Sequence, residues 1–541
     1  MIPAKNIEFE KIFNLYRKKN FSEAKSKCER FIAKNKDNVL ANQLLAKIEI
    51  AVGNISKAIS ILNLSLKTSP QNIDLLIDLG NAHKELNNFQ ESFECYHNVT
   101  KIDPLNLIAY HNCANLLFKL GSYNKAIDLY SKAYHIDNNH VKSLIGVARA
   151  YEALEDYSMA ISIYENIVDK FIDSETALLN LGNLYRKINK HDKALRIAEE
   201  AVIKFPNNIN CLSLRGVIQK ELGMLPAALV DFKKMKEISP DSDLANNNIA
   251  MTLLMMGDYQ NGWPLFEARW NLEEGRKKKY ISSKPVWNGQ KTCNLLVWAE
   301  QGIGDQVMYS SIISDASASV DNLFVLVDKR LKELFARSFD SKIKFIETRE
   351  EAEKTGYDFQ LPMASLAKFF RNSEKNFHRE QSSYLLADPL KVSQLRLMLN
   401  KNEDEKKLIG VSWKSVNPKN GLKRGVSLID FLEKINEPCV QFVNLQYGDI
   451  TADLAELNKN SQIKLISLEE IDNFHNIDGL AALIMACDEV ISIDNSTVHL
   501  SGALGKNTKV LLQSSADWRW QQYRADTPWY PSMQLIRDAI I

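Results

Sequence analysis

At 541 residues the chain exceeds what one hydrophobic core supports, so two or three domains are expected. Hydrophobic residues make up 45% and charged residues 25%, the balance of an ordinary soluble globular protein. The 68 basic and 67 acidic residues nearly cancel, which removes any global field for gathering nucleic acid, and none is expected as a partner.

In chain order, the start Met1-Ile2-Pro3-Ala4-Lys5-Asn6 lacks the apolar run of a signal peptide. Nowhere do 18 apolar residues follow one another, so no membrane span is expected. The seven cysteines are scattered without CxxC pairing, as expected of reduced thiols on apolar faces. Together these features predict a cytoplasmic protein.

A 34-residue frame opened at Lys5 steps through residues 5, 39, 73, 107, 141, 175, 209 and 243 without insertion. Its position 20 holds Ala24, Ala58, Ser92, Ala126, Ala160, Ala194, Ala228 and Gly262, all small, as two closely crossing helices require. Position 8 is small in all units but the first, from Ala46 and Gly80 to Gly216 and Ala250. Pro70, Pro104, Pro206 and Pro240 stand at position 32, where a proline ends a helix. Aromatic residues at position 24 (Tyr96, Tyr130, Tyr164, Phe232 and Phe266) fill the space between units. This pattern resembles the tetratricopeptide repeat and covers residues 5–276, predicting an α-solenoid of eight repeats. Such arrays offer a groove to another protein.

On the inner face of the first helix of each pair, Asp78, Asn112, Asn180 and Asn248 share one frame position, and Asn81, Asn115 and Asn183 share another. A primary amide both donates and accepts, so such a ladder can hold an extended peptide backbone without reading its sequence. It is similar to the asparagine ladder of O-GlcNAc transferases. The alternative is that these are solvent-tolerant polar residues, or that they bond between units. Residues 277–292 read as a linker, beginning with the basic run that ends at Lys279.

From Cys293 the period disappears. Asn294–Ala299 reads as a buried strand, followed by Glu300-Gln301-Gly302-Ile303-Gly304-Asp305 and a helix from Gln306 to Ser314. Strand, glycine turn and helix open a Rossmann-like unit in which Gly302 and Gly304 let backbone approach a ligand. Further strands are expected at Leu323–Val327 and Ile343–Ile346. A second unit starts with the strand Leu408–Trp413, with strands at Val440–Leu445, Ile463–Ile466, Val490–Ile493 and Lys509–Leu512. The expected fold is therefore an α-solenoid followed by an α/β GT-B domain of two Rossmann-like halves, at 293–400 and 401–541.

Glu300-Gln301-Gly302-Ile303-Gly304-Asp305 and the run Ile493-Asp494-Asn495-Ser496-Thr497-Val498-His499 through Gly505 resemble the heptosyltransferase family, glycosyltransferase family 9. The likeness is greatest to members fused to tetratricopeptide repeats, some of which modify flagellin. It extends to Asp517-Trp518-Arg519-Trp520 and Pro528-Trp529-Tyr530-Pro531. It implies a glycosyltransferase moving a sugar from a nucleotide-sugar to a protein acceptor, with no metal or other cofactor and probable inversion at the anomeric carbon. Asp305 would be the general base; the alternative is that it caps the following helix. Asp494, Ser496, Thr497 and His499 would hold the donor, although His499 equally suits a buried structural histidine. Lys414, Lys423 and Arg424 would meet the diphosphate, Arg424 foremost, and the two lysines equally suit solvated surface. Gln446, Tyr447 and Gly448 would face the nucleotide base. The family's usual residues are replaced at Asn495 and Asn507. Transfer to a lipopolysaccharide or other glycan is the rival activity, and an inactive repeat scaffold the rival class.

Overall fold

The computed structural model describes residues 4–36, 38–171, 174–291, 293–377, 382–400, 406–415, 425–513 and 516–537. Two compact units divide the chain, Met1–Phe205 and Pro206–Ile541.

The first unit holds six helix pairs. Their first helices are Ala4–Arg17, Val39–Ala51, Ile73–Glu85, Leu107–Lys119, Val141–Ala153 and Glu175–Lys187; their second helices run from Phe21–Lys34 to His191–Lys204. From the second pair on, each first helix begins on the residue that opens the 34-residue frame. The reason is local: Asn38, Asn72 and Asn106 stand just before three of them and accept the backbone N–H of Ala41, Leu75 and Ala109 at 2.9, 3.1 and 3.1 Å. The small residues at frame position 20 are wholly buried. Gly80 shows how close the helices come, because a Cβ there would lie 2.7 Å from the Tyr96 ring.

The second unit begins with two more pairs, Ile209–Glu221 with Leu225–Ile238 and Asp243–Met255 with Tyr259–Phe266. Two parallel sheets follow. The first has strands β1 (Asn294–Trp298), β2 (Asn322–Leu326), β3 (Lys344–Ile346) and β4 (Phe359–Pro362), in spatial order β3-β2-β1-β4. The second has β5 (Lys407–Ser412), β6 (Val440–Asn444), β7 (Leu465–Ile466), β8 (Glu489–Ile493), β9 (Thr508–Leu512) and β10 (Met533–Arg537), ordered β10-β9-β8-β5-β6-β7. That is the doubly wound order, reversing direction between β5 and β8, and ligands of such sheets bind beyond the strand ends at the reversal.

The division into compact units falls after Phe205, so repeats seven and eight belong to the second unit. Repeats seven and eight share one apolar core with the sheets, in which Leu254, Tyr259, Trp263 and Phe266 pack with β1 and the chain's last tryptophans. The Trp263 indole N–H donates to the Arg371 carbonyl at 2.8 Å. Arg269, just beyond the last repeat helix, meets Glu300 at 2.9 Å with both side chains buried. Nor is 277–292 a free linker. Tyr280 and Trp287 are buried, and the Trp287 N–H donates to the Gln360 carbonyl of β4 at 2.9 Å.

No helix among the described residues is long and apolar enough to cross a membrane. All seven cysteines are free thiols, and only Cys439 is exposed.

Candidate functional site

Loops at the carboxyl ends of strands in both sheets enclose a cavity of about 450 Å³. Gly302, Gly304, Asp305, Tyr447, Asp494, Ser496 and His499, all singled out in the sequence, line it together.

Two helices, Ile303–Ser310 and Ser496–Ala503, begin at the cavity wall, where their first turns carry the positive ends of their dipoles. Gly302 is the N-cap of the first helix, and Asp305 lies in its first turn. Asp305 is therefore not the cap. Its Oδ1 accepts from Arg519 Nη2 at 2.5 Å, and the Gln301 amide, turned to donate, reaches its two oxygens at 3.0 and 3.2 Å. The glycines differ in role. Gly302 has open space where a Cβ would stand, whereas a Cβ on Gly304 would lie 2.7 Å from the His499 ring. Gly304 thus lets the helix pack closely against His499 while its backbone lines the cavity.

His499 is buried, shares a 2.8 Å hydrogen bond between Nδ1 and the Tyr530 hydroxyl, and stacks on Trp520 with centroids 5.3 Å apart. It is at once a packed histidine and part of the cavity wall. Burial pushes the Tyr309 and Tyr530 hydroxyls well above the usual tyrosine range, so both remain neutral.

Four expected site residues lie elsewhere. The Gln446 side chain is buried, and its oxygen accepts from Ser412 and from the backbone N–H of Trp413 and Lys414 at 2.9–3.0 Å. It braces the end of β5 and does not line the cavity. Lys414 Nζ turns to the Asp449 carbonyl at 2.7 Å and to the Asp453 carboxylate. Thr497 is buried against the Leu445 carbonyl, and Gly448 occupies a turn with φ of 83°. Lys423 and Arg424 lie outside the described residues.

The structure adds others. Asn495 caps the Ser496–Ala503 helix, accepting the Thr497 N–H at 3.0 Å while donating to Ser412 Oγ at 2.7 Å across the β5/β8 reversal. An asparagine directly before a helix is a readable cap signal. Among the described residues, the cations at the cavity are Arg519 and Arg330. Burial opposes the charge of Arg519, but Asp517, Asp305 and Asp494 outweigh it and raise its pKa above the usual arginine value. Arg330 is gripped by Asp328 at 2.8 Å and lies over the Phe474 ring. Arg519 lies within Asp517-Trp518-Arg519-Trp520, and nothing in its spacing ties it to Asp305, 214 residues earlier.

In the first unit, Asn81 and Asn115 accept the hydroxyls of Tyr96 and Tyr130 at 2.7 and 2.6 Å. Asp78 accepts from Gln43 and Lys47 of the preceding repeat at 2.5 and 3.2 Å. Asn183 bonds the Leu179 carbonyl of its own helix at 2.9 Å. Asn112 is half-buried. In the second unit Asn248 is buried. Much of the ladder is thus engaged within the array.

The tetratricopeptide-repeat family profile matches residues 77–140 and 148–209. The helical array is built of tetratricopeptide repeats. Arrays of this kind are protein-interaction scaffolds. Over 345 residues the chain is 28% identical to Protein FlbA of Caulobacter vibrioides, a stretch covering 60% of this chain and 57% of that relative. The chain therefore spans little more than half of the relative's length. Among solved structures it is similar to a tetratricopeptide repeat protein from Parabacteroides merdae, at 18% identity and TM-score 0.38, covering 46% of this chain and 98% of that one. Yeast Tom70 is similar at 18% identity and TM-score 0.40, covering 48% and 57%.

Proposed function

We propose that the protein is a glycosyltransferase of GT-B architecture that moves a sugar from a nucleotide-sugar donor to a protein presented by its repeats. The observation carrying this reading is the meeting, in one cavity, of the Asp305 carboxylate, the opening of the Ser496–Ala503 helix and the Arg519 guanidinium. These are the groups the reaction needs. The carboxylate takes the proton of an acceptor hydroxyl as that oxygen attacks the anomeric carbon. The bond from that carbon to the diphosphate breaks as the new one forms, inverting the centre. Negative charge gathers on the departing diphosphate, where helix N–H groups and a fixed cation stabilise it without reorganisation. Asp494 and His499, whose ring is held by the Tyr530 hydroxyl, line the sugar side.

A thermal-shift panel of UDP-glucose, GDP-mannose, ADP-glucose and CMP-N-acetylneuraminate tests donor binding. One donor should stabilise the second unit, and Asp305→Asn should keep that stabilisation while losing about 10²–10⁴ in turnover. A scaffold would show no nucleotide preference. Full turnover in Asp305→Asn would remove the carboxylate from the reaction.

A further inference from the structure

Arg519 reaches the cavity on the turn Trp518–Trp520, and the residue after it is unusual. Gln521 has φ of 49° with ψ of 165°, a left-handed backbone on a residue with a side chain. Such backbone persists only where its surroundings fix it, and it gathers at functional sites.

The groups that fix this turn come largely from repeat eight. Gln521 Nε2 donates to the Tyr259 hydroxyl at 2.7 Å in a buried hydrogen bond. Trp518 meets Trp263 edge to face with centroids 5.4 Å apart, and Phe266 at 6.2 Å. Tyr259, Trp263 and Phe266 all belong to the helix Tyr259–Phe266. From the other side Arg537 Nη2 donates to the carbonyls of Trp520, at 2.8 Å, and Gln521. Between these holds, Trp520 stacks on His499 and Arg519 pairs with Asp305.

We propose that repeat eight is a working part of the catalytic site: through Tyr259 and Trp263 it holds the Trp518–Gln521 turn so that Arg519 positions the Asp305 carboxylate. Tyr259 is then a positioning residue, Arg519 holds the Asp305 carboxylate as well as facing the departing diphosphate, and the repeats do more than present an acceptor. This rests on the glycosyltransferase reading. A turn freed on the repeat side would let Arg519 drift, and a misplacement of about 1 Å can cost up to 10²-fold in rate.

The test uses the full chain. Acceptor-free hydrolysis of UDP-glucose, GDP-mannose, ADP-glucose and CMP-N-acetylneuraminate is measured first, and the fastest donor is kept. Tyr259→Phe keeps the ring and removes only the hydroxyl that Gln521 uses. It should lower kcat about tenfold with donor KM within about twofold. Arg519→Ala should lower kcat about 100-fold, and Arg519→Lys should restore part of the loss. Asp305 also faces Asp494, His499 and the hydroxyls of Tyr309 and Tyr530, all of which stay in place. An opposite charge favours an ionised carboxylate, so Arg519→Ala should move the acid limb of the pH–rate profile to higher pH. Unchanged kcat and pH profile in both Tyr259→Phe and Arg519→Ala would overturn the proposal. If the unaltered protein hydrolyses no donor, the glycosyltransferase reading fails instead, and the clamp is read by hydrogen exchange. Amides of the 518–521 turn should then exchange about tenfold faster in Tyr259→Phe, and an unchanged rate would refute the clamp.

Discussion

The first six repeats and the last two obey one 34-residue code yet belong to different compact units. Frame position 21, next to the invariantly small position, sets repeat eight apart from the other seven. Lys25, Ile59, Phe93, Ile127, Ile161, Leu195 and Leu229 are all half-buried there, whereas the equivalent Trp263 is buried. Its indole donates to Arg371 and packs on Trp518. The periodic positions build a helix pair; the residue beside them decides what that pair packs against. Repeat eight meets the α/β part through one large aromatic side chain, with no change in its own small-residue signature.

The largest expected effect tests that claim. All eight tryptophans of the chain lie from Trp263 onward, so their fluorescence reports on the second unit alone. Trp263→Ala should cost that unit about 3–5 kcal/mol in urea unfolding followed by fluorescence, the usual loss for a buried tryptophan. Phe93→Ala at the same frame position should cost the first unit less, by far-UV circular dichroism. Equal losses would mean that position 21 does not distinguish the two kinds of repeat.

The code that defines the repeats was legible in full. Seven expected repeat starts coincide with first residues of helices because the signals are local: asparagine caps, small crossing residues and terminal prolines. Strands of the α/β part were legible where β-branched, aromatic and other apolar residues predominate, as in β1, β2, β5, β6 and β8. Two strands were missed. β4 is four residues long, carries Gln360 and ends at Pro362, while β10 alternates Gln534 and Arg537 with apolar residues at the sheet edge. The site was half legible. Asp305 and Asp494 announce themselves by motif, and the cavity unites them. Arg519 and Arg330 enter it by tertiary folding alone, so no spacing reveals them. Gln446 misled because a polar residue after a strand suits a ligand contact as well as it suits a brace for backbone amides.

A smaller effect concerns the asparagines of the first unit. Asn81 and Asn115 accept buried tyrosine hydroxyls, so replacing either with alanine leaves a donor without its partner. Each change should destabilise the array by about 1–3 kcal/mol in urea unfolding monitored by circular dichroism. Adding Tyr96→Phe to Asn81→Ala should recover most of that loss, because the orphaned hydroxyl disappears. Asn112→Ala, outside these tyrosine pairs, should leave stability within about 0.5 kcal/mol. An acceptor defect in Asn112→Ala together with stability defects in the other two would divide the ladder into a binding rung and structural rungs. Unchanged stability in Asn81→Ala would mean that the tyrosine bond carries no weight.

The smallest effect separates the two units by pH. In the first unit His111 Nδ1 and His140 Nδ1 both lie 2.9 Å from Ser143 Oγ, with their rings edge to face. Burial, followed by the nearby His140 and Lys142 charges, lowers the His111 pKa from 6.5 to about 4. Burial also lowers that of His140, against the pull of Asp137. Between those values the unfolded chain binds protons that the folded array refuses. The contribution of this pair is therefore fully present above the unfolded pKa and is lost as pH falls toward the folded one. From pH 7 to about 5.5, above the range where carboxylates titrate, the first unit's melting temperature should fall by about 2–4 °C. His111→Gln keeps a polar side chain facing Ser143 and removes the titrating ring, so it should flatten this dependence. Tryptophan fluorescence of the second unit, which contains neither histidine, should melt at an unchanged temperature on going from His111 to Gln. A slope that persists in His111→Gln would assign the pH response to other groups and leave the paired histidines as ordinary packing between repeats.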